Sequence, residues 1–288
     1  MGKIDQIIKQ SRNSPSADEG KEVVYVVKIG GNVIDDAEKL AEFLKQFASI
    51  QSPLHGMGSK KILIHGGGKL ATRLAEQMNV PQQLVDGRRI TDAETLKIVT
   101  MVYAGYINKN IVAQLQTHNC NAIGISGADG NGILAHKRIH PTMDYGFVGD
   151  IDSIDASFFR NLLQQNLAPV IAPITHDKKG QLLNTNADTM AQEIAKALSS
   201  FYTVELIYTF EKDGVLLDVN DHTSVIKKLY PEYYNELRQK GAIFAGMIPK
   251  LDNAFTALNS GVKKVIIGKA EEIRELINGE KGTSITND

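Results

Sequence analysis

Two glycine turns that directly follow apolar strands near the start of the chain constrain its fold most strongly. The first lies in Val26-Val27-Lys28-Ile29-Gly30-Gly31-Asn32 and the second in Ile62-Leu63-Ile64-His65-Gly66-Gly67-Gly68. Open α/β sheets place anionic ligands at such turns, because glycine lets backbone amides approach an oxyanion and the next helix presents its positive end. Neither turn has the spacing of a Walker loop or of a dinucleotide-binding fingerprint. The sequence therefore predicts a phosphate-handling enzyme outside those two classes.

Strand-like and helical patterns alternate along the rest of the chain. We predict strands near residues 23–29, 61–65, 121–126, 168–174, 203–209 and 263–267. We predict helices near residues 36–48, 69–78, 92–118, 155–166, 187–199, 231–240 and 247–259. A capping box formed by Thr91 and Glu94 is expected to begin the third helix. Such alternation is typical of a mostly parallel sheet with helices on both faces.

Two segments depart from this alternation. Residues 1–21 combine a short apolar stripe with a stretch containing Ser, Pro and Gly, so we expect a flexible N-terminal arm ahead of one domain spanning residues 22–288. Between about 131 and 150, apolar and polar residues alternate on both sides of a turn, which predicts a β-hairpin. The pattern fits equally a flap beside a ligand site and an edge hairpin without functional contacts.

The charge balance and the cysteine count exclude several classes of protein. The 288 residues include 32 basic and 33 acidic side chains, so no overall field attracts nucleic acid or an anionic membrane. No apolar run is long enough to span a membrane, and no signal-peptide pattern is present. Cys120 is the only cysteine, which excludes an intrachain disulfide and a zinc site with cysteine spacing. We expect a cytoplasmic protein that captures anions with local cations and amides.

Lys28, Lys250 and the segment 184–188 are the candidates for chemistry. Lys28 ends the first strand, and Lys250 lies at the start of a late helix. In a parallel sheet such positions can converge on the carboxyl edge, and phosphoryl transfer needs positioning and positive charge more than covalent help. Each signal alone has a simpler interpretation, as a surface lysine or as a helix cap. We expect His65 to be a structural hydrogen-bonding group rather than a base.

The order of the motifs along the chain is more informative than any one of them. The motifs are Lys28-Ile29-Gly30-Gly31, His65-Gly66-Gly67-Gly68, Gly87-Arg88-Arg89-Ile90-Thr91, Ser126-Gly127-Ala128-Asp129-Gly130, Gly146-Phe147-Val148-Gly149, Asn184-Thr185-Asn186-Ala187-Asp188, Gly246-Met247-Ile248-Pro249-Lys250 and Gly282-Thr283-Ser284-Ile285. From about residue 23 to the end, this ordered set resembles the acylglutamate branch of the amino acid kinase family, the N-acetylglutamate kinases. Its Gly-x-Arg-x-Thr, Asn-x-Asn-Ala-Asp and Gly-Met-Ile-Pro-Lys elements separate that branch from aspartate, carbamate and uridylate kinases.

The resemblance implies a three-layer α/β/α sandwich with an open, mainly parallel central sheet. An acylglutamate-binding half would cover about residues 22–180 and an ATP-binding half about 181–288. The implied reaction is ATP-dependent phosphorylation of the side-chain carboxylate of N-acetyl-L-glutamate in arginine biosynthesis. Mg²⁺ would be held mainly by phosphate oxygens and water, with no protein metal ligands. The short apolar stripe in the arm favours a homodimer with little arginine feedback over an arginine-inhibited hexamer.

The resemblance also assigns a role to each matching residue. Lys28 and Lys250 would stabilise the transferring phosphoryl group, and Asp188 would hold both ammonium groups in place. The residues that would bind the acylamino acid are Gly66, Gly67, Arg89, Asn184 and Asn186. The residues that would contact ATP are Gly30, Gly31, Asp213, Gly214 and Gly246.

The chain departs from the family pattern at three places. Phe210-Glu211-Lys212 lies where the family usually has Thr-Asp-Val before Asp-Gly-Val, Ala245 replaces a glycine, and Arg88 replaces an apolar residue. Arg88 leaves an alternative acceptor open, N-succinyl-L-glutamate, whose additional carboxylate a second guanidinium could bind. A non-catalytic amino-acid sensor on the kinase fold is another alternative, which the presence of both lysines and the aspartate disfavours.

Overall fold

The computed structural model describes residues 20–50, 60–85, 88–218 and 220–288. Most of the predicted N-terminal arm, residues 1–19, therefore lies outside the described residues. The strands are β1 (Val23–Ile29), β2 (Lys60–His65), β3 (Gln83–Val85), β4 (Arg88–Ile90), β5 (Ala122–Ile125), β6 (Ile133–Lys137), β7 (Val148–Ile154), β8 (Ala168–Ile171), β9 (Ile174–His176), β10 (Leu182–Thr185), β11 (Thr203–Phe210), β12 (Lys228–Leu229), β13 (Lys264–Lys269) and β14 (Thr283–Ile285). The α-helices are α1 (Gly31–Ile34), α2 (Ala37–Ala48), α3 (Gly68–Gln77), α4 (Ala93–Thr100), α5 (Asn108–Thr117), α6 (Ala156–Gln164), α7 (Ala187–Leu198), α8 (Pro231–Gln239), α9 (Ile248–Asn259) and α10 (Ile273–Ile277).

Eight strands form the central sheet, in the order β12-β14-β13-β11-β1-β2-β8-β5. The six strands from β13 to β5 are parallel, whereas β14 pairs with β13 in the antiparallel sense. Alternate residues of β1 point to opposite faces, as in any strand. Val24 and Val26 pack in a core with α6, α7, α8 and α9, and Tyr25 and Val27 pack in a second core with α2, α3, α4, α5 and α10. The expected three-layer, mainly parallel α/β sandwich is confirmed.

The order of the strands creates a crevice beside β1. The chain continues from β1 to β2 on one side, and β11, which comes much later in sequence, pairs with β1 on the other side. Ligands of open α/β sheets bind at such reversals, outside the carboxyl ends of the strands. Both glycine turns begin at this edge, because Gly30 follows β1 and Gly66 follows β2.

Four short strands form a second, closed ring in the order β10-β7-β6-β9. The predicted hairpin is present as the antiparallel pair β6 and β7. It is not a free flap, because β7 also pairs in parallel with β10 through Asn184 and Val148. The ring therefore connects the hairpin to the segment that carries the predicted acceptor-binding asparagines.

Several predicted boundaries are wrong for local reasons. The strand predicted over residues 168–174 is two strands, β8 and β9, with Pro173 between them, where the missing N–H cannot continue a ladder. The helix predicted over 92–118 contains a π-helical turn, Met101–Ile107, between α4 and α5. Its cap is not Thr91: Asp92 accepts a hydrogen bond from the Thr95 backbone N–H at 2.7 Å. No described helix is both long and apolar enough to cross a membrane.

Candidate active site

The two glycine turns lie directly against each other. The Gly66 backbone N–H donates a hydrogen bond to the Ile29 carbonyl at 3.1 Å. A Cβ atom added to Gly66 would lie 3.6 Å from the Gly31 backbone nitrogen. The turns therefore form one continuous backbone surface between the ends of β1 and β2.

Gly67 has a steric requirement that Gly30 lacks. Gly67 has φ +152°, and a Cβ atom there would overlap Ile107 Cδ1 and approach Tyr103 at 3.0 Å, both in the π-helical turn. Gly30 has ordinary extended angles, and a Cβ atom there would meet only Thr209 O at 3.9 Å and Lys28 Nζ at 4.0 Å. Gly67 is thus needed for packing, whereas the protein itself leaves room at Gly30.

His65 supports the second turn from behind. Its ring is fully buried, with Nδ1 2.8 Å from the Gly66 carbonyl and Nε2 3.2 Å from Asn108 Nδ2. Burial lowers the pKa of His65 to about 4. A neutral ring that donates from Nδ1 and accepts at Nε2 satisfies both contacts. This geometry agrees with the expectation that His65 is structural.

A cavity of about 550 Å³ extends from the first turn toward α9. Its lining includes the expected glycines Gly30, Gly31, Gly214 and Gly246 and the lysines Lys69, Lys212 and Lys250. It also includes the apolar side chains of Val215, Leu216, Ile243, Phe244 and Met247. A cavity that combines cations, glycine backbone and apolar side chains suits a nucleoside triphosphate.

Asp213 is not part of that lining. Its carboxylate lies 2.6 Å from Lys269 Nζ and 3.0 Å from His222 Nδ1. The hydrogen bond from Lys269 is the main cause that lowers the pKa of Asp213. The role of Asp213 in nucleotide binding stays a prediction.

Lys28, Asp188 and Lys250 come together between β1, α7 and α9. Lys28 Nζ lies 2.8 Å from Asp188 Oδ1, in a buried position. Asp188 is in the first turn of α7, which Asn186 caps by accepting a hydrogen bond from the Thr189 N–H at 3.0 Å. Burial lowers the pKa of Lys250, the nearby Asp188 raises it and Lys28 lowers it further. The three predicted catalytic residues therefore interact electrostatically.

A second cavity, of about 160 Å³, lies on the other side of the second glycine turn. Its lining includes all five predicted acceptor-binding residues, Gly66, Gly67, Arg89, Asn184 and Asn186. Gly68 lines both cavities, so they are neighbours at this residue. The structure thus brings together residues from β2, β4 and β10 that are far apart in sequence.

Buried hydrogen bonds fix the orientation of Arg89. Its Nη2 donates to the Gly68 carbonyl at 2.9 Å and to Thr72 Oγ1 at 2.8 Å, and its Nη1 donates to Gln82 Oε1. The side chain is only 9% exposed. Arg89 therefore presents a preorganised guanidinium edge to the second cavity.

A buried threonine orients Asn184. Asn184 Nδ2 donates to Thr91 Oγ1 at 3.0 Å, and Thr91 Oγ1 in turn donates to the Arg89 carbonyl at 3.2 Å. Two backbone hydrogen bonds connect Thr91 to the hairpin end, from Thr91 N to Tyr145 O at 3.0 Å and from Phe147 N to Thr91 O at 2.6 Å. Thr91, the threonine of the Gly-x-Arg-x-Thr motif, therefore links β4, the hairpin and β10 through hydrogen bonds.

Sequence reasoning missed several lining residues of the second cavity, among them Tyr103 and Arg138. Arg138 makes a double hydrogen bond to Asp150, which is the main cause that raises its pKa. Tyr103 reaches the cavity from the π-helical turn. No local pattern identifies either residue, although Arg138 lies within the segment predicted to form a hairpin. The side chains of Arg88 and Ala245 lie outside the described part of the structure.

No group of three metal-ligating residues occurs among the described residues. In the lining of the larger cavity, Glu211 is the one acidic residue, beside three lysines.

A model of the amino acid kinase family matches residues 24–269 of this sequence. The chain belongs to the amino acid kinase family. It is 54% identical to the acetylglutamate kinase of Cytophaga hutchinsonii over 259 residues, which cover 90% of the chain and 96% of that relative. It is 50% identical to the acetylglutamate kinase of Phocaeicola vulgatus over 255 residues, which cover 88% of the chain and 96% of that relative.

A solved structure supports the family fold. The crystal structure of smu.665 from Streptococcus mutans matches with a TM-score of 0.71 and 26% identity, and the match covers 92% of this chain and 99% of that one. The resemblance seen in the motifs is therefore confirmed in both sequence and architecture.

Proposed function

We infer that the chain phosphorylates the side-chain carboxylate of N-acetyl-L-glutamate with ATP, and that it serves arginine biosynthesis. The observation that carries this conclusion is its identity of 54% to an acetylglutamate kinase over nearly the full length of both proteins. Two adjoining cavities support it, because the larger one has the volume for a nucleotide and the smaller one is lined by the residues that would bind an acylamino acid.

The reaction needs no base to activate its acceptor. A side-chain carboxylate is already ionised near neutral pH, so one of its oxygens attacks the γ-phosphorus while the bond to the β,γ-bridging oxygen breaks. ADP leaves with that oxygen, and an acyl phosphate forms. The protein must hold the two anions in line and stabilise the charge that moves between them.

In this proposal, Lys28 and Lys250 supply that stabilisation. They approach from β1 and α9, on two sides of the crevice, and Asp188 interacts with both. The ion pair of 2.8 Å with Asp188 restrains the Lys28 ammonium group before any substrate binds. A lysine that is already held in place needs little reorientation when negative charge develops on the phosphoryl oxygens.

The second cavity would hold the acylamino acid. Gly66 and Gly67 would bind the reacting carboxylate through backbone amides, and Arg89 would pair with the carboxylate that is not phosphorylated. Asn184 and Asn186 would bind the remaining polar groups. Asn186 Oδ1 accepts from the Thr189 backbone N–H, so its amide nitrogen is the group available for a ligand.

ATP would occupy the larger cavity, with its phosphates along Gly30 and Gly31 and its base among the apolar residues near Gly246. Mg²⁺ bound with ATP would neutralise part of the charge of the phosphates, and Glu211 in the cavity lining would accept a hydrogen bond from one of the ion's water ligands. The proposed acceptor and ATP halves meet at this crevice, with their boundary near residue 180.

We further propose that the protein is a homodimer and that it is located in the cytoplasm. Sedimentation equilibrium would test the homodimer.

Trapping of the acyl phosphate tests the proposed reaction. With MgATP and hydroxylamine, N-acetyl-L-glutamate should give a hydroxamate, formed in equal amount to ADP. N-acetyl-L-glutamine is the matched control, because its side-chain carboxylate is replaced by an amide and it should give none. ATP consumption without hydroxamate from N-acetyl-L-glutamate would contradict the proposal, and the absence of both ATP consumption and hydroxamate would be the behaviour of a non-catalytic sensor.

A further inference from the structure

The ring of Phe210 lies against both lysines of the proposed transfer site. Lys250 Nζ lies 3.5 Å from the ring centroid, and Lys28 Nζ lies 5.7 Å from it. Both distances are within the range of about 6 Å in which an ammonium group is attracted to the face of an aromatic ring. Phe210 also belongs to the segment in which the chain departs from the usual family pattern.

The two lysines differ in their other partners. Lys28 forms an ion pair with Asp188 at 2.8 Å. No carboxylate in the described part of the chain lies within ion-pair distance of Lys250, which is half-buried and repelled by Lys28. Its charge needs a nearby stabilising group, since a buried ammonium without one is costly. The nearest group with that property is the Phe210 ring.

Strand pairing and a neighbouring ring restrict the position of Phe210. Phe210 is the last residue of β11 and pairs there with Lys269 of β13. It stacks on Tyr208 with the ring centroids 6.4 Å apart and the planes inclined by 26°. A ring fixed by two strands and a stacked neighbour can fix the position of a cation above it.

We propose that Phe210 is a positioning residue, whose ring face holds the protonated ammonium of Lys250 beside the ATP cavity. The proposal rests on the function proposed above, in which Lys250 acts on the γ-phosphoryl group. A carboxylate at this position would bind the ammonium tightly and compete with the phosphate. A phenyl ring stabilises the cation without adding negative charge, so the lysine stays available to the phosphate.

Several elements place charged groups near Lys250. Lys28 from β1 lowers the pKa of Lys250, Asp188 from α7 raises it, and Lys69, Glu211 and Lys212 line the same cavity.

The Phe210→Leu variant leaves these charged groups in place. It removes the ring but keeps an apolar side chain that excludes water. The pKa of Lys250 should then fall, because the charged form loses a favourable contact while its burial is retained.

The first test measures that pKa without turnover. Reductive methylation with ¹³C-formaldehyde makes each lysine visible by NMR, and the Lys250→Ala variant assigns its signal. Phe210→Leu and Phe210→Ile should each lower the pKa of Lys250 by about 0.5–1 pH unit. Phe210→Tyr, which keeps the ring, should leave it unchanged. Phe255→Leu, which removes a partly buried ring elsewhere on α9, should also leave it unchanged.

The second test measures catalysis by the unmethylated enzyme. Phe210→Leu should lower kcat about 5- to 10-fold, with the KM values for both substrates within about 2-fold, and should move the alkaline limit of kcat to lower pH. Phe210→Tyr should restore both. An unchanged or raised pKa of Lys250 in both aliphatic variants would overturn the proposal, even if the wild-type enzyme forms the hydroxamate. Absence of hydroxamate from the wild-type enzyme would instead refute the proposed function.

Discussion

Asp188 forms an ion pair of 2.8 Å with Lys28, which comes from a strand far away in sequence. The carboxylate lies at the start of α7 and the lysine at the end of β1, so the pair joins the sheet to the helix at the crevice. Tyr208 on the adjacent strand β11 donates a hydrogen bond to the Asp188 carbonyl at 3.2 Å. The position of Lys28 is therefore set by two elements that pack on β1.

The first prediction concerns this pair. Lys28→Ala and Asp188→Asn should each lower kcat about 100-fold or more, because the first removes a preorganised cation from the transition state and the second removes the carboxylate that holds this cation in place. The double variant should lose less than the product of the two single effects, since Asp188 acts through Lys28. Steady-state kinetics with N-acetyl-L-glutamate would measure all three. Fully multiplicative losses would show that the two residues act independently.

The second prediction separates two glycines that look alike in sequence. Gly30→Ala should fold with nearly unchanged thermal stability, because its Cβ atom would meet neighbours only at 3.9 Å or more. It should raise the KM for ATP about 10-fold or more, since the methyl group would occupy the proposed phosphate position. Gly67→Ala should unfold at lower temperature, because its Cβ atom would overlap Ile107. A stable Gly67→Ala variant, or an unaltered KM in Gly30→Ala, would refute this distinction.

The third prediction concerns the hydrogen bond from Asn184 to Thr91. Thr91→Val keeps the shape of the side chain and removes the acceptor, so Asn184 should lose its fixed orientation. The KM for N-acetyl-L-glutamate should rise about 5-fold, which corresponds to about 1 kcal/mol for one hydrogen bond, while the KM for ATP stays constant. Thr117→Val is the matched control, because that exposed hydroxyl bonds only within its own helix. An equal rise in both KM values would point to a general loss of structure.

The sequence predicts the parallel core of the fold because its strands and helices are long and strongly patterned. It does not predict β9, β10, β12 or β14, which have between two and four residues and too few positions to show a period. Their pairing depends on tertiary contacts. Asn184 was nevertheless named as an acceptor-binding residue, because the motif resemblance does not depend on secondary structure; it lines the smaller cavity, and its role stays a prediction.

Tertiary contacts also explain why the sequence did not predict the roles of three side chains, those of Phe210, Thr91 and Tyr103. Phe210 meets Lys250 only because the end of β11 and the start of α9 converge in the folded chain. Thr91 was expected to cap a helix, and Asp92 does so instead, which leaves the Thr91 hydroxyl for Asn184. Tyr103 depends on a π-helical turn, for which no simple sequence pattern is known.

The fourth prediction concerns acid stability. The pKa of His65 is about 4 in the folded protein, below its ordinary value of 6.5, so the unfolded chain takes up this proton first as the pH falls. The neutral ring therefore stabilises the fold fully above pH 6.5, and this contribution is lost progressively toward pH 4. By pH 5, the loss attributable to His65 should reach about 2 kcal/mol.

Urea unfolding of the wild type and of His65→Gln at pH 7 and pH 5 measures this effect. The glutamine variant should be less stable at pH 7, but its free energy of unfolding should fall less between the two pH values. Equal falls in both proteins would show that His65 does not titrate as its burial requires.

The most direct measurement of the central claim is kcat/KM for ATP-dependent acyl phosphate formation with four acceptors. These are N-acetyl-L-glutamate, N-succinyl-L-glutamate, L-glutamate and L-aspartate. The small cavity with its fixed Arg89 predicts the highest value for N-acetyl-L-glutamate, and a loss of at least about 100-fold for the two free amino acids, whose charged ammonium group would be repelled by the Arg89 guanidinium. A preference for a free amino acid, or no acyl phosphate from any of the four, would contradict the account.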